Sequence, residues 1–338
     1  MDKIILNYLN SFPTIVLVLI IVGMLYILSK GADLLVDEAV GLSVRWGIPK
    51  MIIGATIVSL GTTLPEVAVS VFAALEGNPD LALGNAIGSI IADTGLIIGI
   101  AAIIGKLPVD KITINRQGKV QILAGILLSI VCMPFFLKGG KRIGIIPQWM
   151  GWIFLGLLVL YIYISLKWAK GSKAEDEAAA TEIQKSVVLQ IIKMVLGIVL
   201  VIGSSKILIP SVEITAIRIG IPQSIIAATL IAFGTSLPEL ITAITSVRKG
   251  HGELAVGNII GADILNVLFV VGSSASVTKG GLLVPKNFYK IQIPAMLMIL
   301  ICFRYFCKNK HGDVISKGEG LCLTCIYGVY LLLSYVWI

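Results

Sequence analysis

The sequence has little charge and almost no histidine for its length. Of its 338 residues 57% are apolar and 14% are charged, whereas soluble globular chains carry about 25% charged residues. Two histidines leave almost no material for a histidine-based zinc site. Five cysteines, an odd number found mostly within apolar runs, do not make a disulfide framework. These deficits exclude a soluble enzyme, a disulfide scaffold and a disordered chain.

The apolar residues form long runs, and the mean hydropathy is +0.97. The net charge is +8, but the charges fall in short clusters between the runs, so no soluble basic face is expected to bind nucleic acid. A membrane helix needs about 20 apolar residues, and the chain has room for ten of them. The sequence therefore predicts an all-α integral membrane protein in a lipid bilayer, with spans at about 12–38, 50–75, 81–105, 120–137, 147–168, 187–209, 222–247, 254–277, 290–307 and 320–338.

The basic residues predict how the chain is oriented. The first apolar run has no small-residue cleavage site after it, so we interpret it as an uncleaved first span. Loops after the odd-numbered spans hold 16 Lys and Arg, and the opposite side holds 9. Positive loops stay in the cytoplasm. We expect a multi-pass protein of the cell membrane with both termini outside.

An internal repeat organises the chain. Residues 47–99 align with 220–272 at a constant offset of 173, and 21 of the 53 positions are identical. Five spans separate the copies, and because five is odd the second copy enters the membrane upside down. Inverted repeats of this kind are typical of secondary transporters, which bind substrate between the repeats. We predict two inverted five-helix repeats, 1–169 and 187–338, joined by a cytoplasmic loop at 170–186.

The repeated motif places one acid inside a span of each half: Glu66 in GTTLPE and Glu239 in GTSLPE. An acid in the bilayer costs about 2.5–3.5 kcal/mol on insertion scales and normally has a partner. No Lys or Arg lies near either motif, so a metal cation is the expected partner. The alternative is structural, because Thr63-x-x-Glu66 and Ser236-x-x-Glu239 match a capping box. Such a box would start a helix in mid-membrane, so each span is predicted to be broken there.

Uncharged oxygen atoms surround the two acids in the sequence. Hydroxyl groups immediately precede each acid, and carbonyl groups of Ser59 and Ala232 lie further back. Carboxylate, hydroxyl and carbonyl oxygens suit calcium, which takes 6–8 oxygen ligands, and the lack of thiolate and imidazole argues against zinc, copper or iron. Asp93 and Asn266 share a repeat position 27 residues after their glutamates. The hydroxyl-bearing residues are Thr62, Thr63, Thr235 and Ser236.

Several polar and small residues keep two interpretations. Asn85 and Asn258 either bind the cation or satisfy the helix breaks, and the role of Asp263 is open. We expect the acids near the end of the first span to be interfacial. We interpret the repeated glycines as packing positions. The acids are Asp33, Asp37 and Glu38, and the glycines are Gly84, Gly88, Gly257 and Gly261.

These motifs resemble the cation/calcium exchanger superfamily, and within it the prokaryotic type of sodium/calcium exchanger. The resemblance covers GTTLPE with GNAIGS, GTSLPE with GNIIGA, and the ten-span layout. It implies broken core helices that form a diamond of cation sites. It also implies long, tilted first and sixth helices that slide across this core. The protein is then expected to be a transporter rather than an enzyme.

The resemblance also implies roles for residues of this chain. Glu66 and Glu239 would bind calcium with the backbone oxygens of Thr62 and Thr235. Sodium would use the same glutamates, Ser89, the Ser59 and Ala232 carbonyls and the Thr63 and Ser236 hydroxyls. Asp93 and Asn266 would line the centre, in halves opposite to those of some relatives. Ala262 stands where a serine would match Ser89, and Ile90 replaces a polar residue.

The function expected from the sequence is exchange of Na+ for Ca2+ by a monomer, with the ions as cargo and no resident cofactor. Exchange coupled to H+ or dependent on K+ is the nearest alternative, because a third intramembrane carboxylate can bind a proton or potassium. An intramembrane aspartyl protease is a weaker alternative, since the repeated acids are glutamates flanked by threonine and proline. A passive channel is the last, and paired acids at broken helices favour occlusion over rapid conduction.

Overall fold

The computed structural model describes residues 2–134, 136–138, 141–170, 186–220, 234–308 and 313–336. These residues are almost entirely helical. The connecting loop predicted at 170–186 lies mostly outside the described residues, as does the first half of the span predicted at 222–247. The helices are α1 (Asp2–Asn10), α2 (Thr14–Trp46), α3 (Lys50–Thr62), α4 (Leu64–Leu75), α5 (Pro79–Ile104), α6 (Lys111–Val131), α7 (Gln148–Lys170), α8 (Val187–Arg218), α9 (Leu237–Arg248), α10 (Gly252–Val277), α11 (Phe288–Lys308) and α12 (Lys317–Val336).

Six helices of the described chain are long and apolar enough to cross a membrane: α2, α5, α7, α8, α10 and α11. The bent pair α3 and α4 makes a seventh candidate. Each of the ten predicted spans overlaps a helix, but α6, α9 and α12 do not meet the same criteria of length and hydropathy within the described residues. The count of ten spans and their inversion remain predictions.

Several helix boundaries differ from those predicted, and two of these differences have a clear local cause. The first long helix continues past residue 38 to Trp46 and stops where Gly47 adopts φ +63°, a left-handed conformation that favours glycine. The helix α6, which corresponds to the span predicted at 120–137, begins at Lys111 rather than near residue 120. The Asp110 carboxylate accepts a hydrogen bond of 2.7 Å from the Thr113 backbone N–H and caps its start.

The two longest helices pack against each other along their length. α2 has 33 residues and α8 has 32, which at 1.5 Å per residue is about 50 Å. A hydrocarbon core of about 30 Å accommodates such helices only if they tilt or extend beyond it. Their contact is close, because a Cβ at Gly197 would meet the backbone of Leu35 and Gly31.

The core helices carry breaks at matching repeat positions. α3 and α4 meet at an angle of 45° at Thr63. α5 contains a π-helical turn at Asp93–Ile97, and α10 contains one at Asn266–Val271. Asp93 and Asn266 are equivalent in the repeat, so both copies widen at the same residue. A π-turn leaves backbone groups without their usual helical partners and is common at functional sites.

α10 lies at the centre of the molecule. In the most apolar 18-residue stretch of α10, 94% of the residues are buried inside the protein, whereas in that of α2 only 22% are buried. Glycines allow the close contact with α3, since a Cβ at Gly257 would overlap the Met51 carbonyl and one at Gly261 would overlap that of Ala55. The packing interpretation therefore holds for these two glycines. Around Gly88 no described atom lies within 4 Å of the added Cβ, and around Gly84 the nearest is Phe288.

Short strands connect regions that are distant in sequence. The strand β1 (Leu107–Pro108) pairs antiparallel with β5 (Val314–Ile315), with Leu107 opposite Ile315. The strand β3 pairs with β2 and also with β4, with Ile145 opposite Leu283. A strand that follows α5 thus pairs with one that follows α11, and a strand that follows α6 pairs with one that follows α10. The remaining bounds are β2 (Phe136–Lys138), β3 (Lys141–Ile146) and β4 (Leu282–Val284).

Candidate cation site

The two motif glutamates occupy the same place in their respective helices. Glu66 lies in the first turn of α4 and Glu239 in the first turn of α9. The residue before each helix has nearly the same backbone, with φ −80° and ψ −3° at Thr63 and φ −85° and ψ 7° at Ser236. Each glutamate is 1% exposed. The repeated sequence therefore folds into a repeated local structure, and it presents one buried carboxylate in each copy.

The purely structural explanation of the motif is not supported by the hydrogen bonds. Neither Thr63 nor Ser236 makes a side-chain capping bond. Their hydroxyl oxygens and all four carboxylate oxygens of Glu66 and Glu239 are buried without a hydrogen-bond partner in the described part of the chain. A capping box would have used the hydroxyls and carboxylates reciprocally. These oxygens are therefore available to a ligand that is not part of the described chain.

The acids of the two copies lie close together. The Glu66 carboxylate is within electrostatic range of those of Glu239 and Asp93. The hydroxyls of Thr62 and Thr63 lie near the Glu239 carboxylate, and that of Ser236 lies near Asp93. The Glu239 and Asp93 carboxylates thus face hydroxyl groups from the opposite copy. The folded chain brings together groups that are more than 140 residues apart in the sequence.

A reciprocal pair of hydrogen bonds joins the two copies. The Thr235 hydroxyl donates to Asn85 Oδ1 at 2.9 Å, and the Thr62 hydroxyl donates to Asn258 Oδ1 at 3.4 Å. Thr62 and Thr235 are equivalent in the repeat, and so are Asn85 and Asn258. The threonine of each motif is therefore held by the asparagine of the other copy. This favours the structural interpretation of the asparagines, because their carbonyl oxygens are occupied.

The two asparagines differ in how well they are bonded. Asn85 Nδ2 donates to the Glu66 backbone carbonyl at 3.2 Å and to Ser70 Oγ at 2.9 Å. Asn258 Nδ2 is buried and has no partner among the described residues. Its repeat position opposite Ser70 is Ala243, which has no hydroxyl to accept the bond. The first copy therefore holds its motif more firmly than the second.

The remaining predicted ligands are buried in the protein, except one that lies outside the described residues. Ser59 and Ser89 are buried, and Asn266 is buried with Oδ1 unpartnered among the described residues. The Ser59 carbonyl already accepts a hydrogen bond from the Thr63 backbone N–H at 2.9 Å, and the Thr62 hydroxyl oxygen lies 3.4 Å from it. Ala232 lies outside the described residues.

The chemistry of the donors is that of a hard-cation site. No three or more His, Cys, Asp or Glu side chains are grouped for metal binding in the described ranges, so a cation here would depend on a carboxylate pair and neutral oxygens. Hydroxyl and carbonyl oxygens complete such sites for calcium and sodium. A close pair of buried like charges also repels itself until a cation binds.

A second polar cluster adjoins the site, and most of it was missed from the sequence. Asp263 is buried on α10 and accepts hydrogen bonds from the Thr94 hydroxyl on α5 and from Gln121 Nε2 on α6, the latter at 2.6 Å. Thr94 and Gln121 attracted no prediction. Their signal was a polar side chain within an apolar span, which is costly unless a partner exists.

The acids expected at an interface form ion pairs with lysines. Lys249 lies 3.2 Å from Asp33 and 2.8 Å from Asp37, and Lys193 lies 3.7 Å from Glu38. Partial burial opposes the charge of Lys249, but its hydrogen bonds to Asp37 and Asp33 outweigh this and raise its pKa above the ordinary value. Lys249 follows α9, so these contacts tie α2 to the end of a core helix.

Comparison with known proteins identifies the family. The family model described as sodium/calcium exchanger protein matches residues 16–167 and 189–336. The chain is 34% identical over 324 residues to the inner membrane protein YrbG of Escherichia coli (strain K12), covering 94% of this chain and 96% of that protein. It is 24% identical over 356 residues to the sodium/calcium exchanger MaX1 of Methanosarcina acetivorans, covering 95% and 99% respectively.

A solved structure has the same fold. The structure of the sodium-calcium exchanger NCX_Mj soaked with 10 mM Na+ superposes with a TM-score of 0.79 at 25% identity, covering 95% of this chain and 99% of that one. The family match covers most of the sequence, and the helices are those of a multi-pass membrane transporter. The chain therefore belongs to the sodium/calcium exchanger protein family.

Proposed function

We propose that this protein is a secondary active antiporter that exchanges Na+ for Ca2+ by alternating access, with Glu66 and Glu239 as shared cation ligands. The observation that carries this is the pair of buried carboxylates whose four oxygens have no partner among the described residues. Burying ionised groups without compensation is costly. A cation that binds between them supplies the missing charge, and release of that cation exposes the cost again.

Exchange of the two ions follows because they share the same ligands. Calcium and sodium would use the same two carboxylates, so each ion must leave before the other binds fully. The proposed calcium ligands are Glu66 and Glu239 with the backbone oxygens of Thr62 and Thr235. The proposed sodium ligands add the Thr63 and Ser236 hydroxyls, Ser89, the carbonyls of Ser59 and Ala232, and a centre lined by Asp93 and Asn266. The ions are cargo, and no resident cofactor is required.

The proposed architecture is ten spans in two inverted halves, 1–169 and 187–338, joined by a cytoplasmic loop. Four observations support it: the matching backbone before α4 and α9, the π-turns at equivalent residues, the reciprocal Thr–Asn bonds and the reciprocal strand pairs. A pseudo-two-fold axis between the copies accounts for all four at once. We propose that the protein acts as a monomer in the cell membrane with both termini outside.

Coupling to H+ or dependence on K+ is the second candidate, and Asp93 is the specific reason to keep it. This third carboxylate lies within range of Glu66 and Glu239, and a proton or potassium ion there would change the number of counter-ions. Ala262 removes a hydroxyl that would match Ser89, so one inner sodium position has fewer oxygens.

Flux into reconstituted vesicles separates the candidates. We expect an outward Na+ gradient alone to drive Ca2+ uptake, and a pH gradient alone, without Na+, to drive none. Replacing K+ by choline on both sides should leave the Na+-driven rate unchanged. Ca2+ uptake under the pH gradient alone would show that the counter-ion is a proton rather than sodium. A rate that vanishes without K+ would show that transport depends on potassium. Vesicles without protein give the leak.

A further inference from the structure

The helix α3 contains a π-helical turn at Gly54–Val58, just before the motif of the first copy. In a regular α-helix the Ala55 carbonyl would accept a hydrogen bond from the Ser59 N–H, four residues later. The Ser59 N–H instead donates to the carbonyls of Gly54 and Thr56. The Ala55 carbonyl therefore loses its usual helical donor, and a buried backbone carbonyl needs another one.

The side chain of Tyr161, on α7, supplies that donor. Its hydroxyl donates to the Ala55 carbonyl at 2.8 Å, although the two residues are 106 positions apart in the sequence. Tyr161 is only 5% exposed, so the bond lies in the protein interior. Loss of the hydroxyl would leave the carbonyl without this donor, which is costly for a buried group.

Two further side chains hold the Tyr161 hydroxyl in place. Gln117 Nε2, on α6, donates to Ser165 Oγ at 3.2 Å, and the Ser165 hydroxyl lies within hydrogen-bonding range of the Tyr161 oxygen. Gln117 and Ser165 are both fully buried. A chain of donors thus runs from α6 through α7 to α3, and fully bonded networks of this kind make a protein core rigid.

The π-turn determines the direction in which the following residues point. Each residue of a helix adds about 100° of rotation, so one extra residue in a turn rotates all that follow by this angle. The residues that follow include Ser59, Thr62 and Thr63, which the proposed function uses as cation ligands. The turn also packs tightly on α10, since a Cβ at Gly261 would lie 2.5 Å from both the Ala55 carbonyl oxygen and Ser59 Oγ.

We propose that Tyr161 is a positioning residue for the cation site. Its hydroxyl bonds the carbonyl that the π-turn deprives of its helical donor, and so keeps Ser59, Thr62 and Thr63 in the orientation that binds the ion. This inference rests on the proposed function, because it takes these three residues as ligands. A site that is already ordered before the ion arrives binds more tightly than one that must be ordered on binding. Removal of the Tyr161 hydroxyl should therefore weaken binding although no ligand is lost.

Calorimetric titration of the purified full-length protein tests this with Tyr161→Phe, which removes only the hydroxyl. We expect the affinity for Na+, measured by its competition with Ca2+, to fall about tenfold. The affinity for Ca2+ should fall less, because Ser59, the ligand next to the turn, is proposed for sodium and not for calcium. Tyr163→Phe removes the same group from an exposed position of α7 and should bind both ions as the wild type does.

A role of Tyr161 in stability alone would give a different result. A lower unfolding temperature of Tyr161→Phe with an unchanged ratio of Na+ to Ca2+ affinity would overturn the proposal. Glu66→Gln distinguishes this from failure of the proposed function. Wild-type Ca2+ binding in Glu66→Gln would refute the cation site and the role of Tyr161 with it. Weakened binding in Glu66→Gln beside wild-type binding of both ions in Tyr161→Phe would refute only the role of Tyr161.

A second variant covers the case in which Tyr161→Phe does not fold. Ser165→Ala keeps Tyr161 and its bond to Ala55, but removes the group that links the Tyr161 hydroxyl to Gln117. We expect a smaller loss in the same direction, about threefold in the affinity for Na+. An unchanged ratio of Na+ to Ca2+ affinity in Ser165→Ala would also contradict the positioning role.

Discussion

At the scale of single residues, the unsatisfied oxygens are the main finding. Thr63, Glu66, Ser236 and Glu239 all keep buried acceptor atoms without partners in the described structure. Most buried polar groups in proteins are hydrogen-bonded, so each exception calls for an explanation. Here the exceptions converge on one place and belong to one repeated motif. The proposed bound cation would explain them together.

The motif hydroxyls separate a ligand role from a structural one. Because Thr63 and Ser236 cap nothing, Thr63→Val and Ser236→Ala should not lower the unfolding temperature in detergent without Na+ or Ca2+. A lost helix cap would instead cost about 0.5–2 kcal/mol. Each variant should weaken competition of Na+ with bound Ca2+ about tenfold, or about 1.4 kcal/mol. A lower unfolding temperature with unchanged competition between Na+ and Ca2+ would show that the motif hydroxyls are structural and do not bind the cation.

The two asparagines make a matched pair for a second prediction. Asn85→Ala removes bonds to Thr235, Ser70 and the Glu66 carbonyl, and each buried group left unpaired costs about 1–3 kcal/mol. Asn258→Ala removes one long bond from Thr62. We expect the Asn85 variant to have the clearly lower unfolding temperature. An equal fall in unfolding temperature in the two variants would show that the additional hydrogen bonds of Asn85 do not contribute to stability.

At the scale of helices, the central contact depends on glycine. α3 and α10 cross closely at Gly257, where a Cβ would overlap the Met51 carbonyl, a backbone atom that cannot rotate away. Overpacking of a core costs about 1–3 kcal/mol or more. Gly257→Ala should therefore lower the unfolding temperature and the yield of folded protein. Gly203→Ala, on an exposed face of α8 with no atom within 4 Å, is the control, and equal behaviour would contradict the close crossing.

Some elements could be predicted from the sequence and others could not. The repeat and the buried acids were visible because an offset of 173 keeps Pro, Glu and Asn in register. The break at Thr63 followed from the motif, since glycine and proline flank it. The π-turns at Asp93 and Asn266 could not be predicted, because a polar residue within an apolar helix does not by itself specify a π-turn.

Contacts between distant residues were beyond the reach of periodicity. Nothing in the sequence near Asp263 indicates Thr94 or Gln121, which lie 169 and 142 residues away. The hydrogen bonds from Thr62 to Asn258 and from Thr235 to Asn85 also depend on how the two copies pack against each other. Apolar periodicity reports which face is buried, but it does not say which helix covers it.

At the scale of the molecule, we propose a fixed centre and a separate moving part. The core helices α3, α4, α5, α9 and α10 hold the acids, while α2 and α8 pack mainly on each other. Lys249 links this pair to the core through Asp33 and Asp37. Both ion pairs are partly open to solvent, and ion pairs at a protein surface contribute only about 0–1 kcal/mol. We expect a link of this strength to break during each transport cycle, as the proposed sliding of the long helices requires.

The proposed exchange depends on Glu66 and Glu239 binding one cation between them. Titration of the purified protein with Ca2+, followed by calorimetry with and without Na+, measures this most directly. We predict saturable Ca2+ binding that Na+ displaces, and a loss of about 100-fold or more in affinity, about 2.8 kcal/mol, in both Glu66→Gln and Glu239→Gln. Glu76→Gln, at the exposed end of α4, should bind as the wild type does. Wild-type affinity in either motif variant would contradict the shared site.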